Sequence, residues 1–207
     1  GLTYSGKKLL QYSIIFLGFS MSIGKVSATG LSSLKISIVT ILIAFFAAYA
    51  AGKFFKMRRI LTILIGFGTA ICGGSAIAAA SPILEAEEED IALSISTIFF
   101  FNILAVFIFP FLGHLMQMSD GYFGTWAGTA INDTSSVVAA GYTYSQAAGD
   151  LATIVKLSRA LMIVPACLIF AGYRYVRGKR SAQKVDLKKI FPWFILWFVL
   201  ASVVSSL

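Results

Sequence analysis

The stretch GTAINDTSSVVAAG, residues 128–141, decides the fold, because it sets a polar cluster between small residues inside apolar sequence. Short polar side chains of this kind start helices, since they accept hydrogen bonds from the free amides of the first turn. A helix start in the middle of an apolar segment predicts a break within the membrane. Irregular backbone at that depth is tolerated only where it packs in protein or lines a polar cavity. The cluster is therefore a candidate site, formed by Asn132, Asp133, Thr134, Ser135 and Ser136.

A related stretch, GTAICGGSAIAAA, occurs earlier in the chain at residues 68–80. Its first four residues are identical to residues 128–131, and three further identities follow in the same register without a gap. This agreement favours an internal repeat over a compositional coincidence. Paired, glycine-interrupted apolar segments are typical of the binding sites of secondary transporters. The second half of the candidate site is therefore Cys72, Gly73, Gly74 and Ser75.

The composition predicts an integral membrane protein. Of the 207 residues, 58% are hydrophobic and 13% are charged, and the mean hydropathy is +0.85. A soluble domain is about 45–50% apolar and about one quarter charged. We expect an all-helical, polytopic membrane protein whose residues 1–207 form one transmembrane domain. Because the chain starts without methionine and ends in an apolar run, we expect it to be the middle part of a longer protein.

About seven membrane segments are predicted. The first covers residues 9–23 and is followed by a turn rich in glycine, serine and threonine, and the last begins at residue 191. The segments between them are residues 34–52, 60–84, 91–116, 122–148 and 151–173. Of these, residues 60–84 and 122–148 are the broken ones, and residues 174–189 form a basic loop.

The net charge of +8 does not indicate nucleic-acid binding, because most of the basic residues lie in short loops between predicted spans. They cluster at residues 7–8, 53–59 and 174–189. Basic residues in such loops orient a membrane protein and contact anionic lipid. We therefore place these three clusters in the cytoplasm and expect membrane lipid as a partner.

The path of the broken segments is open at this point. If each segment crosses the membrane, the acidic loop at residues 85–90 lies outside and the repeats run parallel. If each is a re-entrant hairpin, the acidic loop is cytoplasmic and the repeats are inverted about the span at residues 91–116. Basic residues fit both arrangements and acidic residues carry little topological weight. The hairpin arrangement is favoured, because inverted repeats recur in transporters.

Three charged residues fall well within membrane segments, namely Asp133, Lys156 and Arg159. The two cations are three residues apart, which puts them on one face of a helix. A charge near the bilayer centre costs at least ~2.5–3.5 kcal/mol, so such residues pair with each other or line a polar route. Two cations against one carboxylate favour a bound anion. Helix N-termini after Gly74 and Asp133 favour the same sign.

These residues predict a secondary transporter of a small anion, with H⁺ or Na⁺ as a coupling ion and with no other cofactor. One alternative is a cation antiporter in which Asp133 binds H⁺ or Na⁺. Another is a membrane scaffold or regulator without transport activity. A purely structural ion pair between Asp133 and Lys156 or Arg159 is a further interpretation of the charges. An enzyme is not expected, because the sequence holds no histidine–cysteine cluster, acid pair or phosphate-binding loop. The oligomeric state is left open.

At these motifs the sequence resembles the YeiH-like family of bacterial inner-membrane proteins, to which sulfate export is assigned. The motifs are ICGGSA at residues 71–76 with Pro82, residues 128–141, and KLSR at residues 156–159 with Pro165. The resemblance implies a multi-pass protein of the bacterial inner (plasma) membrane that transports a sulfate- or sulfonate-like oxyanion. It also implies kinship with cation:proton antiporters and bile-acid symporters. Asn132 departs from the family pattern, which commonly has histidine there.

The hairpin arrangement makes a testable prediction. Single cysteines placed in the loop at residues 85–90, on a Cys72→Ser and Cys167→Ser background, should react with an impermeant maleimide only from the cytoplasmic side. The reason is that a re-entrant segment returns its following loop to the side from which it entered. Labelling from outside would leave only the crossing arrangement.

Overall fold

The protein is all-helical in the part of the chain that a computed structural model describes, residues 2–176 and 190–206. Ten helices lie within these two ranges. They are α1 Leu2–Gly18, α2 Ile23–Phe54, α3 Arg59–Ala70, α4 Gly74–Leu84, α5 Glu88–Leu115, α6 Asp120–Ala130, α7 Thr134–Tyr144, α8 Gln146–Ala160, α9 Ile163–Val176 and α10 Trp193–Val204. Residues 177–189, which hold most of the predicted basic loop, lie outside the described residues.

Three helical stretches are long and apolar enough to cross a membrane. They are Ile23–Phe54, Glu88–Leu115 and Gln146–Tyr173, the last of which combines α8 with most of α9. Shorter apolar helices accompany them, at Lys8–Gly18, Arg59–Ala70, Gly74–Leu84 and Trp193–Val204. The expectation of a membrane protein therefore has direct structural support. Reaching the expected number of about seven segments requires the shorter helices to enter the membrane as well.

The predicted turn after the first span is wrong, because residues 24–33 are helical and belong to the 32-residue α2. Ser22 caps this helix by accepting a hydrogen bond from the Lys25 amide. Small residues here provide close packing: a Cβ atom on Gly30 would lie 3.2 Å from the Ser158 hydroxyl oxygen. Glycine, serine and threonine in membrane helices commonly serve such contacts between helices.

The predicted span at residues 151–173 is interrupted, because α8 ends at Ala160 and α9 begins at Ile163. Pro165 accounts for the interruption. Its nitrogen carries no hydrogen, so it cannot donate to the carbonyl of Leu161 four residues earlier, and its ring crowds that carbonyl.

Helices α3 and α4 form a hairpin with a break at residues 71–73. Gly73 at this break has a φ of +70°, which side chains with a Cβ rarely adopt. The two ends of the hairpin are held near each other through α5. Arg58, just before α3, lies 3.1 Å from both Glu89 and Asp90 in the first turn of α5. We call this end the base of the α3–α4 hairpin, and residues 71–73 its tip.

Helices α6 and α7 form a second hairpin, with its tip at residues 131–133. Hydrogen bonds between the end of α7 and the start of α6 close its base. The hydroxyl of Ser145, which follows α7, donates to Asp120 at the start of α6 over 2.6 Å. The hydroxyl of Tyr144 also donates to the carbonyl of Met118 just before α6. When the two related sequence stretches are aligned, α6 ends and α7 begins at the positions where α3 ends and α4 begins.

Helix α5 contacts the bases of the two hairpins with its opposite ends. It has 28 residues and is therefore about 42 Å long. Its first turn is bound at the base of the α3–α4 hairpin. Near its last turn, the carbonyl of Gly113 lies 3.4 Å from the Tyr144 hydroxyl at the base of the α6–α7 hairpin. The bases of the two hairpins therefore lie at opposite ends of α5.

Helix α8 packs across the α6–α7 hairpin through small residues. A Cβ atom on Gly124 would lie 2.8 Å from the carbonyl oxygen of Ala148, and one on Gly128 would lie 2.8 Å from that of Ala152. Glycines four residues apart form a flat helix face that allows this close approach. Because α8 starts at the hairpin base and runs alongside α6, it carries Lys156 to the level of the tips.

This close packing predicts that Gly128→Ala destabilises the protein, because the added methyl group must displace the backbone of α8. We expect a loss on the order of 1–3 kcal/mol, the usual range for overpacking. The measurement is the unfolding of the protein in detergent, followed by circular dichroism. Gly121→Ala on the same helix is the matched control, since a Cβ atom there meets nothing within 4 Å. Equal stability of the two variants would contradict the close packing of α6 on α8.

Candidate functional site

The tips of the two hairpins contact each other. A Cβ atom on Gly73 would lie 3.6 Å from the Cα atom of Asp133 and 3.7 Å from the carbonyl carbon of Asn132. The two tips are also built alike. Ile71 and Ile131 are the residues that follow α3 and α6, and both precede a new helix by three residues. The residues of the two related stretches are thus brought to one place.

Lys156 joins the two tips. Its ammonium nitrogen lies 2.9 Å from the carbonyl oxygen of Ile71 and 3.0 Å from that of Ile131. The side chain is fully buried. The last carbonyls of a helix have no partner within the helix and carry partial negative charge. One ammonium group therefore donates hydrogen bonds to the unpaired carbonyls at the ends of both α3 and α6.

Arg159 binds the same end of α3. Its Nε donates to the carbonyl of Ala70 over 2.6 Å, and its Nη2 donates to that of Thr69 over 3.3 Å. The residue is 2% exposed, and its Nη1 has no hydrogen-bond partner among the described residues. A buried guanidinium nitrogen without a partner is costly. Neither Arg159 nor Lys156 lines the large cavity near the tips.

The structural ion pair considered between Asp133 and either cation is not formed. Among the described residues, the ion pairs are Lys25 with Asp150 and Arg58 with three acids at the start of α5. Asp133 instead caps α7 and accepts hydrogen bonds from the Ser135 and Ser136 amides. The short aspartate side chain reaches its own helix start more readily than a cation on α8.

The N-terminus of α4 is capped differently. Its N-cap residue is Gly73, which has no side chain to accept hydrogen bonds from the first amides. Ser75 in this first turn is exposed, whereas Thr134 at the start of α7 is buried. Free amides at a helix start bind anions. The two helix starts at the tips therefore differ: that of α7 holds a carboxylate, and that of α4 has no side-chain cap.

A cavity of about 1050 Å³ leads to the tips. Of the predicted site residues, Cys72, Ser75 and Thr134 line it. The rest of its wall comes from α1, α4, the start of α9, and residues 190–197, and includes Lys8 and the aromatic side chains of Tyr12, Trp193 and Trp197. This volume is typical of a small-molecule site at the upper end of the usual range.

The other predicted site residues have structural or peripheral places. Gly74 begins α4 and is half-buried, and the exposed Ser135 donates its hydroxyl to Asp133. The amides of Asn132 and Ser136 are bound by neighbouring side chains. None of these four residues lines the cavity. The described residues contain no group of three or more His, Cys, Asp or Glu that could hold a metal ion.

Asn102 belongs to the site, although the sequence indicated only a polar residue inside a span. It lies in the middle of α5 and is 2% exposed. Its side-chain oxygen accepts hydrogen bonds from the amides of Asn132 and Asp133, at 3.1 and 3.2 Å. Its side-chain nitrogen has no partner among the described residues. A buried asparagine in an apolar span was the available signal, but the residue that it binds could not be read from the sequence.

Comparisons with known proteins give one consistent result. The model of the family described as Conserved hypothetical protein 698 matches residues 1–207. A UPF0324 membrane protein of Streptococcus pneumoniae is 49% identical over 206 residues, which are 98% of this chain and 61% of the relative. A UPF0324 membrane protein of Clostridium tetani is 45% identical over 219 residues, covering all of this chain and 64% of the relative.

A more distant UPF0324 membrane protein, from Bacteroides thetaiotaomicron, is 41% identical over 203 residues, which are 98% of this chain and 59% of the relative. The chain thus spans about three fifths of the length of the curated relatives that it matches. The names of these relatives state a membrane location and no substrate. No solved structure matches the chain.

The contacts of Asn102 predict a loss of stability in Asn102→Leu. Leucine removes the acceptor and leaves two amides at a half-buried tip without their partner, so we expect a cost on the order of 1–3 kcal/mol. Unfolding in mixed detergent micelles measures it. Thr97→Val on the same helix is the control, because the Thr97 hydroxyl donates only to the carbonyl of Leu93 within α5. An Asn102→Leu protein as stable as the control would refute the assigned role of the asparagine.

Proposed function

Because the chain belongs to the Conserved hypothetical protein 698 family of membrane proteins, we propose that it forms the core of a secondary transporter for a small anion. The observation that carries the proposal is the meeting of two helix breaks at a buried lysine beside a cavity. Broken helices that converge in the interior are the usual construction of a transporter's binding site. The substrate class is a sulfate- or sulfonate-like oxyanion, which the resemblance of the sequence motifs to sulfate exporters also favours.

In the membrane, the proposed arrangement has seven segments. They are α1, α2, the α3–α4 hairpin, α5, the α6–α7 hairpin, α8 with α9, and α10. Each hairpin enters and leaves on one side, so the two hairpins are inverted repeats about α5. The contacts of Arg58 support this arrangement, because they hold the loop before α3 next to the start of α5. The basic cluster at residues 53–59 then lies with the acidic loop on the cytoplasmic side of a bacterial inner membrane.

The sign of the charge on the substrate follows from the charges around the tips. Lys156 and Arg159 outnumber Asp133, and the α4 N-terminus at the cavity has no side-chain cap. Both cations are already bound to carbonyl oxygens and neither lines the cavity, so they add positive charge behind the cavity wall and do not contact the anion directly. An oxyanion is thus bound first by the amides and hydroxyl at the start of α4.

Asp133 is proposed as the coupling residue. Its carboxylate occupies the amides at the start of α7, and an anion at the adjacent start of α4 would be repelled by that negative charge. Protonation removes the charge, so the anion and a proton favour each other's binding. This linkage couples anion movement to a proton gradient without any further cofactor.

A cation antiporter centred on Asp133 remains the second candidate. It is favoured by one specific observation: Asp133 is the ionisable acid at the point where the two tips meet. In that case the carboxylate binds H⁺ or Na⁺ directly, and the cations on α8 serve as fixed counter-charges. A scaffold without transport activity is the third candidate, and it gives no reason for a cavity that ends at the helix breaks.

The variant Ser75→Asp separates the first two candidates. A carboxylate in the first turn of α4 repels a bound anion across a few ångströms, so we expect at least a tenfold loss of affinity for sulfate or a small alkyl sulfonate. The same carboxylate is favourable at a helix N-terminus by about 0.3–1 kcal/mol, so the fold should be retained. Ser75→Asn, which is similar in size and neutral, is the matched control. Calorimetric titration of the purified chain measures the affinities.

Three other outcomes would decide against the proposal. Unchanged anion affinity in Ser75→Asp would remove the α4 N-terminus from the site. Loss of Na⁺ or H⁺ binding in Asp133→Asn, without any anion binding in the original chain, would establish the antiporter. Absence of flux of all these ions through full-length protein in proteoliposomes would favour the scaffold.

A further inference from the structure

A second concave surface lies at the other end of α3, at the base of the α3–α4 hairpin. It is a groove of about 750 Å³ between α2, α3 and α9. Its lining residues are all different from those of the cavity at the tips. Since α3 has 12 residues, its two ends are about 18 Å apart. The groove is therefore a separate site and does not depend on the proposed transport function.

One part of the groove is apolar and faces outward from the helices. Ile63, Ile169 and Phe170 line it, and Ile169 is 69% exposed. Tyr49 and Tyr173 complete this part, and both are exposed. Apolar residues with such exposure on membrane-spanning helices contact lipid chains, and tyrosines gather at the level of the head groups.

The other part of the groove is positively charged. Lys53 and Arg59 line it, and both are exposed. Neither forms an ion pair with any residue that the structure describes, whereas the neighbouring Arg58 is fully engaged by the acids of α5. Glu85 also lines the groove, which leaves a surplus of one positive charge. This is the end of the protein where the basic residues of the 53–59 cluster gather.

We propose that this groove binds one anionic phospholipid, with an acyl chain along Ile63, Ile169 and Phe170 and the phosphate between Lys53 and Arg59. The combination of an apolar channel with a basic end matches an amphiphilic anion and not a free ion. The first amides of α3, whose N-cap residue makes no side-chain capping bond, point to the same end and add to the attraction. The lipid closes the gap between α9 and the base of the hairpin.

The experiment uses the purified chain reconstituted in nanodiscs of phosphatidylcholine with a minor fraction of phosphatidylglycerol. Lipid that remains bound after transfer to detergent is counted by native mass spectrometry. We expect one retained phosphatidylglycerol, and about a thirtyfold loss of its affinity in the double variant Lys53→Gln, Arg59→Gln, because each basic group near a membrane surface contributes a factor of about five.

The matched control is Lys35→Gln, Lys56→Gln, which removes the same net charge from residues that do not line the groove. It should keep the retained lipid. An equal loss in both double variants would show that only the general surface charge acts, and would overturn the site. Competition by glycerol phosphate, which lacks acyl chains, would also overturn it in favour of a phosphate site. In Ile169→Ser, undiminished retention of the lipid would contradict the assigned path of the acyl chain.

Discussion

The structure depends on the buried ammonium group of Lys156. In a membrane protein, each helix that stops within the interior leaves carbonyl groups that water cannot reach, and each such group costs several kcal/mol. Here two helices stop at the same level, and the carbonyls of Ile71 and Ile131 lie 2.9 and 3.0 Å from one nitrogen. The cost of burying the cation and the cost of ending the helices offset each other. Without the lysine the two carbonyls would be unpaired, and without the carbonyls the buried ammonium group would be unpaired.

The rest of the fold brings that nitrogen to its place. The glycines of α6 allow α8 to lie against the second hairpin, which fixes the height and the direction of Lys156. Asn102 performs the corresponding task on the other side of the second tip, where it binds amides and not carbonyls. Arg159 adds a second hold on α3. The ends of α3 and α6 and the start of α7 are thus neutralised by different chemistry, cations for the carbonyls and an amide oxygen or carboxylate for the amides.

Much of this arrangement could be predicted from the sequence, because it rests on local signals. The apolar composition predicted the membrane, the paired motifs predicted both helix breaks, and the charges inside an apolar span singled out Lys156 and Arg159. The turn before residue 34 was wrongly predicted, since small residues look the same whether they form a loop or a helix contact. The partners of the charged residues were also beyond reach. Opposite charges suggested a pair with Asp133, while the unpaired carbonyls of a helix end leave no mark in the sequence.

The position of Lys156 on α8 also bears on how this part of the chain can change in length. Between Gly149, which packs against α7, and Lys156, the helix has no loop that could absorb an insertion. One added residue would turn the lysine by about 100° and move it by about 1.5 Å, so that both carbonyls would lose it together. Substitutions along α8 can be judged one side chain at a time. An insertion or deletion in this interval moves Lys156 itself, so we expect length variation only in the connections outside the hairpin bases.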